Sequence, residues 1–147
     1  MGMFDSFDIN STGMTAQRFR MDIISQNVAN ANTTRTADGT PYVRKVVTFS
    51  EKDTQTPFHH VLNKATDRYS GKGVKVDGVY EDTKTELNKV YDPAHPDADE
   101  NGYVSYPNVN IITEMTNLID ASRSYEANAT AFNASKTLAM QGLNLGK

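Results

Sequence analysis

The last third of the chain, from Pro107 to Leu143, carries the pattern of one long helix. No Gly or Pro lies between Val109 and Gln141, so nothing in this stretch interrupts a helix. Apolar side chains recur there at alternating steps of four and three residues, which places them on one side of the helix. At about 1.5 Å per residue the helix would be roughly 50 Å long. We expect so long a helix to pack against other helices.

The apolar side of this helix is a seam in which most positions are apolar or aromatic. The seam consists of Ile111, Met115, Leu118, Ser122, Tyr125, Ala129, Phe132, Lys136, Ala139 and Leu143. The other faces carry mostly Asn, Ser and Thr, whereas an ordinary exposed helix is rich in Lys and Glu. Small polar side chains let helices approach closely, so we expect helices on several sides. Ser122 and Lys136 are candidates for hydrogen bonds to other subunits.

A second helical pattern covers residues 8 to about 31 and has a similar apolar spacing. Ser11 or Thr12 is a candidate N-cap for this helix, as Asn108 or Asn110 is for the longer one. Apolar seams at opposite ends of one chain predict that the two helices pair as a coiled coil. The predicted interaction residues are Met14, Met21, Ile24, Asn27, Val28, Asn30 and Asn32, with Ile111, Met115, Leu118, Tyr125, Ala129, Phe132, Lys136 and Leu143.

Between the helices the sequence is typical of short strands. Tyr42 to Phe49, Val74 to Val79 and Leu87 to Tyr91 are rich in β-branched and aromatic residues, and the last two are predicted to pair. Tyr103 to Tyr106 is a brief extended segment. The predicted fold is mainly α with a small β-rich middle, whose short strands are antiparallel.

This pattern predicts two domains. Residues 1–34 and 107–147 form a discontinuous domain of terminal helices, and residues 35–106 form the β-rich middle region. A loop or insertion is expected at about 51–72, where the strand pattern is poor.

The composition excludes several classes of function. The net charge of −3 argues against nucleic acid as a main ligand, because phosphate binding needs a basic face. The chain has no cysteine, which excludes disulfides, thiolate metal sites and a cysteine nucleophile. No apolar run approaches the ~18 residues of a membrane span, so no stable membrane insertion is expected.

One segment, Asp97 to Gly102, matches the first half of a calcium-binding loop. Asp97, Asp99 and Asn101 supply oxygens at the first, third and fifth positions, and a glycine follows at the sixth. The twelfth position, which should be a bidentate Glu, is Asn108. These residues are weak candidate ligands, and a calcium-binding module is therefore an alternative function. Nothing in the sequence predicts a catalytic site or a cofactor, so we do not expect an enzyme.

Several stretches resemble bacterial flagellar axial proteins, which include rod and hook subunits. The segment from Ile24 to Thr34, with the sequence ISQNVANANTT, resembles their N-terminal signature. The segments Val90 to Pro93, Pro107 to Asn110 and Ala121 to Asn128 resemble the proximal rod subunits in particular. The match extends over both ends of the chain, whereas residues 51–72 resemble nothing in the family.

The resemblance implies a structural subunit of the proximal rod of the basal body, in the cell envelope beyond the cytoplasmic membrane. In that family the terminal helices form the inner tube, which is the wall of the export channel and part of the motor drive shaft. The implied partners are copies of the chain, other rod proteins, an export-gate or MS-ring adaptor at the base and the distal rod above. Export through the flagellar type III apparatus, without a cleaved signal, is implied as well. A free secreted coiled-coil adaptor is a further alternative.

Overall fold

The computed structural model describes residues 5–52 and 73–145. The elements follow the order α1 (Asp5–Ala29), β1 (Lys45–Glu51), β2 (Val74–Glu81), β3 (Asn88–Tyr91), β4 (Tyr103–Tyr106) and α2 (Ile111–Leu145). Two long helices with short antiparallel strands between them confirm the predicted order of elements. The loop or insertion expected at about 51–72 lies outside the described residues, apart from its first two positions.

Helix α1 begins earlier than the sequence pattern indicated. It starts at Asp5, and Asp5 and Asp8 in its first turn favour this end because their charges complement the helix dipole. The helix runs through Ser11 and Thr12, so the prediction that one of them is the N-cap is wrong. Thr12 instead donates its hydroxyl to the carbonyl of Ile9 at 2.9 Å, which satisfies the side chain within the helix.

Helix α2 begins after one of the two predicted capping residues. The Oδ1 atom of Asn110 accepts hydrogen bonds from the backbone N–H groups of Ile112, at 3.0 Å, and Thr113, at 3.2 Å. Asn110 is therefore the N-cap, and it satisfies two of the four N–H groups that a helix leaves free at its start. Further along, the hydroxyls of Thr116 and Thr130 donate to carbonyls four residues earlier, so these residues are accommodated in a long helix.

The four strands form two separate antiparallel pairs. Strand β1 pairs with β2, and β3 pairs with β4 in a register that places Asn88 opposite Tyr106 and Tyr91 opposite Tyr103. The prediction that the segment from Leu87 to Tyr91 pairs with the Val74 segment is therefore wrong. The connection between β3 and β4 explains the difference, since Gly102 has a φ of 82° and turns the chain back into β4.

The chain divides into two units, each of which contains a segment of both helices. Unit 1 comprises Met1–Arg18, Phe49–Asp77 and Ser122–Lys147, and unit 2 comprises Phe19–Thr48 and Gly78–Ala121. This division follows contacts within the chain, whereas the predicted domains separate the terminal helices from the middle region.

In unit 1 the two helix segments pack through one aromatic contact and one close approach. The rings of Phe7 and Phe132 meet edge to face, with centroids 5.1 Å apart. Six residues after Phe7, a Cβ placed on Gly13 would lie 3.0 Å from Oδ1 of Asn128, which precedes Phe132 by four residues. The helix segments therefore run antiparallel in this unit, and Gly13 leaves room for the side chain of Asn128.

In unit 2 the apolar core is small. Ala31, Tyr42 and Val109 form one buried cluster, and Val104 and Ala121 have no exposed surface. The same unit also contains buried polar side chains, namely Asn27, Asn108 and Glu114.

Candidate functional site

A buried polar cluster occupies unit 2. It consists of the side chains of Asn27 on α1, Tyr42 and Arg44 before β1, Asn108 before α2, and Glu114 in the first turn of α2. Asn27 is fully buried and Glu114 is 1% exposed. Buried polar groups of this kind are costly unless every one of them is hydrogen-bonded.

The amide of Asn27 uses all four of its hydrogen-bonding positions. Its Nδ2 atom donates to the carbonyl of Lys45 at 2.8 Å and to Oε2 of Glu114 at 3.0 Å. Its Oδ1 atom accepts from the Tyr42 hydroxyl at 2.8 Å and from the Lys45 N–H at 2.9 Å. One side chain of α1 therefore connects to the start of β1 and to α2.

The carboxylate of Glu114 is compensated by an arginine. Its Oε1 atom accepts from Nε of Arg44 at 2.9 Å and from Nη2 at 2.7 Å. A second carboxylate, that of Asp82, lies 3.6 Å from Nη1 of the same guanidinium. A buried charge is tolerated when it is both paired and hydrogen-bonded, and Glu114 meets both conditions.

Asn108 extends the cluster to the turn after β2. Its Oδ1 atom accepts from the backbone N–H of Arg44 at 2.9 Å. Its Nδ2 atom donates to the carbonyls of Asp82, at 2.8 Å, and Thr85, at 2.9 Å. Asn108 is thus occupied by other segments of the chain, which explains why Asn110 rather than Asn108 caps α2.

Two groups at the cluster have shifted pKa values. Burial raises the pKa of the Tyr42 hydroxyl, and the negative charges of Glu114 and Glu81 raise it further. The phenol therefore stays protonated and able to donate to Asn27. Hydrogen bonds from the side chain and backbone of Thr85 lower the pKa of Asp82, with smaller contributions from Lys84 and the charge of Arg44.

The predicted interaction residues of α1 lie mostly toward the interior of the chain. Ile24 and Asn27 are buried. Met14, Met21 and Val28 are half-buried. Asn30, which is half-buried, and Asn32, which is exposed, lie in the turn after α1. Ala16 is 3% exposed and lies on the same side of α1 as Ile24 and Asn27, but it was not among the predicted residues.

The predicted interaction residues of α2 fall into two groups. Leu118, Ala129 and Phe132 are half-buried. Ile111, Met115, Tyr125, Lys136 and Leu143 are exposed. Glu114 and Ala121, seven residues apart, are the fully covered positions of the helix, so the buried side is offset from the predicted seam.

The offset leaves a row of apolar side chains exposed on α2. In unit 2, Ile112 is 79% exposed, Met115 55% and Ile119 51%, and steps of three and four residues place them on one face. In unit 1, Leu138, Met140 and Leu143 are exposed to a similar degree. Contiguous exposed apolar side chains of this kind mark surfaces that bind other proteins.

Sequence reasoning did not select Tyr42, Arg44 or Glu114 as site residues. A signal for Glu114 does exist, because it is one of few charged residues in α2 and lies in the first turn of that helix. Its partners could not be read from the sequence, since Asn27 is 87 residues away.

The weak calcium candidates are engaged in the turn between β3 and β4. Asp97 accepts the hydroxyl of Thr34 at 2.8 Å and lies 3.6 Å from the guanidinium of Arg35. Asp99 accepts the backbone N–H groups of Asn101 and Tyr103, both at 2.9 Å. These contacts give the two carboxylates a structural role. Within residues 5–52 and 73–145, no group of three or more His, Cys, Asp or Glu side chains could hold a metal ion.

Comparison with known proteins identifies the two ends of the chain. Residues 7–35 match the family model described as flagella basal body rod protein. Residues 100–145 match the model described as flagellar basal body rod FlgEFG protein C-terminal. Asn27 lies in the first matched segment, and Asn108 and Glu114 lie in the second.

Curated relatives match along nearly the whole length. The flagellar basal-body rod protein FlgC of Borreliella burgdorferi is 45% identical over 144 residues, covering 94% of this chain and 93% of the relative. FlgC of Bacillus subtilis is 42% identical over 153 residues and that of Salmonella typhimurium 37% over 147, each covering both chains completely.

Both segments and the full-length matches define a class of protein, the flagellar basal-body rod proteins. Within that class the chain belongs to the FlgC family, which confirms the resemblance seen in the sequence. It is a structural subunit of the rod in the bacterial flagellar basal body. None of the helices in the described part of the chain is long and apolar enough to span a membrane.

Proposed function

We propose that α1 and α2 pair as an antiparallel coiled coil and that this pair is one element of the wall of the rod. In unit 1 the pairing is supported by the Phe7–Phe132 contact and by the close approach at Gly13. In unit 2 it is supported by the hydrogen bond between Asn27 and Glu114.

In this proposal residues 1–34 and 107–147 form the inner tube, and residues 35–106 lie further out. The inner tube serves as the drive shaft and encloses the export channel. The partners are copies of the chain and other rod proteins, with an export-gate or MS-ring adaptor at the base and the distal rod above. The chain reaches this place through the type III export apparatus. It performs no catalysis, because its role is mechanical.

The observation that carries the proposal is the exposed apolar row on α2. Ile112, Met115 and Ile119 face away from the buried positions Glu114 and Ala121. Burial of apolar surface contributes about 25 cal/mol per Å², so these side chains favour contact with another helix over contact with water. A helix with one side buried in its own chain and another apolar side exposed suits a wall built from many helices.

A substitution at Met115 tests the proposal. Met115→Asp is expected to abolish motility and rod assembly, because a charge placed in an apolar contact costs several kcal/mol. Met115 is 55% exposed, so the isolated chain should keep its fold, and circular dichroism of the purified protein checks this. Met115→Leu, which nearly preserves volume and polarity, is the matched control and should remain motile.

Normal swimming and complete basal bodies in the Met115→Asp strain would contradict the proposed contact. Loss of motility in the Met115→Leu strain as well would show that the position responds to any change, and the apolar contact would not be the cause.

A further inference from the structure

We propose that the open edge of strand β3 pairs with strand β2 of a second copy of this chain when the rod assembles. This inference rests on the proposed function, because it adds a backbone contact to the surface that α2 presents to neighbouring subunits. The contact is of the kind in which one chain adds a strand to the sheet of another. It involves residues of unit 2 only.

The hydrogen bonds of the β3–β4 pair show which backbone groups of β3 point away from β4. Asp92, which lies opposite Gly102 in the printed register, donates its N–H to the carbonyl of Gly102 at 2.9 Å. Hydrogen-bonded and non-hydrogen-bonded pairs alternate along an antiparallel ladder, so Lys89 and Tyr91 belong to non-hydrogen-bonded pairs. Their N–H and C=O groups therefore point away from β4.

The two edges of this strand pair differ in how these outward groups are satisfied. At the β4 edge, Tyr103 accepts from the N–H of Asp99 and donates to Oδ1 of Asp99, both at 2.9 Å. At the β3 edge, no backbone hydrogen bond to Lys89 or Tyr91 from outside β4 occurs within residues 5–52 and 73–145. All four residues of β3 are exposed. An open edge of this kind is a template for pairing with another chain.

Cavities lie beside both faces of β3. Asn88 and Val90, whose side chains share one face, line a cavity of about 400 Å³. Leu87, just before β3, and Lys89 share the opposite face and line a cavity of about 700 Å³. Successive side chains of an added strand point to opposite faces, so each set of side chains meets one of these cavities.

The β3 edge is continuous with the exposed apolar row of α2. Asn88 and Ile112 line a third cavity, of about 550 Å³, and Val90 and Ile111 line the 400 Å³ cavity. Ile112 belongs to the apolar row that carries the proposed function. A neighbouring subunit that covers this row therefore also reaches the open backbone groups of β3.

Strand β2 of a second copy suits β3 as the partner. Among the described strands, β2 pairs with β1 alone, so its other edge has no strand beside it. The last three residues of β2 are exposed, and they are Val79, Tyr80 and Glu81. Lys89 carries the one charge of β3, and the carboxylate of Glu81 complements it. Contacts between unlike surfaces repeat from copy to copy, as a rod requires.

A proline substitution tests the backbone contact, because proline lacks an N–H and is tolerated on edge strands. Lys89→Pro removes an outward N–H of β3 and leaves the hydrogen bonds to β4 in place. We expect the number of assembled rods per cell to fall about tenfold or more, while the circular dichroism of the purified chain is unchanged. The matched control is Ser105→Pro, opposite Lys89, which removes an outward N–H at the β4 edge and should leave rod numbers normal.

Cysteine variants identify the partner, since the chain has no cysteine of its own. Two differently tagged versions of the full chain, one with Lys89→Cys and one with Glu81→Cys, are produced in the same cells and oxidised after assembly. A disulfide requires Cα atoms within about 7 Å of each other. We expect an adduct of two chains that carries both tags. Asp38→Cys in place of Glu81→Cys, at an exposed turn of the same unit, should give about tenfold less adduct.

Several results would overturn the inference. Normal rod numbers in the Lys89→Pro strain would show that this edge makes no backbone contact, and an equal fall in the Ser105→Pro strain would show that the effect is not specific to β3. Absence of the doubly tagged adduct, or adducts that join two Lys89→Cys chains or a different rod protein, would rule out β2 of a second copy as the partner. If Lys89→Pro alters the circular dichroism, the cysteine result decides alone.

The Met115→Asp strain is scored in parallel to separate this inference from the proposed function. Normal rods with Lys89→Pro and none with Met115→Asp would refute the strand contact alone. Normal rods with Met115→Asp and few with Lys89→Pro would refute the apolar contact and leave the strand contact standing.

Discussion

The two units hold segments of the same two helices by different physical means. In unit 1 the helices meet through aromatic rings and a glycine, and in unit 2 through a buried amide, a carboxylate and a guanidinium. Apolar packing is non-directional and tolerates small shifts, whereas hydrogen bonds hold only at short range and with suitable angles. Unit 1 is therefore held by buried apolar area, and unit 2 is held by directional hydrogen bonds.

The two units should therefore respond differently to substitutions. In unit 1, truncating a side chain should lower the free energy of unfolding by about the contribution of its buried apolar area. In unit 2 the removal of one partner leaves others buried without a hydrogen bond, which costs more than the bond itself contributed.

The largest effect is expected in the polar cluster. Glu114→Ala removes the acceptor of three hydrogen bonds and leaves Arg44 and Asn27 without it. The free energy of unfolding should fall by about 3–5 kcal/mol, the range for breaking one side of a buried ion pair. Chemical denaturation of the purified chain measures it.

The control for Glu114→Ala is Asp97→Asn, which removes the charge of an ion pair whose arginine is largely exposed. Such a pair contributes ~0–1 kcal/mol, so the free energy of unfolding of this variant should be close to that of the natural chain. A similar fall in the free energy of unfolding in both variants would show that Glu114 contributes no more than a member of an exposed ion pair.

A smaller effect is expected from packing in unit 1. Phe132 is half-buried against Phe7, so Phe132→Ala should cost about 2 kcal/mol, roughly half the cost of truncating a fully buried Phe. Leu138→Ala, at a site 69% exposed, should change stability by less than about 0.5 kcal/mol and is the control. A Phe132→Ala loss that equals that of Glu114→Ala would remove the distinction between the units.

The smallest effect concerns the turn that joins the cluster to β2. Because the folded chain lowers the pKa of Asp82, its ionised carboxylate contributes stability above the unfolded pKa of about 4. That contribution is lost as the pH falls through the lowered pKa. Thr85→Val removes the hydroxyl that is the main cause, so the pKa of Asp82 should rise in an NMR titration. The control, Thr83→Val at an exposed neighbouring position, should leave the pKa of Asp82 unchanged. Equal pKa shifts in the two variants would show that the Thr85 hydroxyl is not the main cause.

Local rules predicted much of the fold. The start of α2 was predicted correctly from the Asn cap and from the absence of Gly and Pro after it. Helix initiation depends on residues that are close in sequence. The helix extends to Leu145, two residues beyond the predicted end at Leu143, and it includes Gly142, since a glycine near the end lowers helix stability without forcing a stop. The predicted pairing of the Leu87 segment with the Val74 segment was wrong, because a period-two pattern does not specify which strand lies beside which.

The buried cluster could not be predicted in the same way. Asn27 and Glu114 are residue types that usually lie at the surface. Their burial depends on hydrogen bonds to each other across 87 residues of sequence and to Tyr42, Arg44 and Lys45. The offset of the buried side of α2 from its apolar seam has the same origin. Once Glu114 occupies a buried position, Met115 beside it points to a different face and is left exposed.

We propose that the exposed apolar face of α2 is covered by neighbouring subunits in the rod. A structure of the assembled basal body, at a resolution that shows side chains, would reveal what covers this face. We expect Ile112, Met115 and Ile119 to lie within ~4.5 Å of apolar side chains from other subunits. Finding these three side chains in contact with water, with the rod held together by other surfaces, would contradict it.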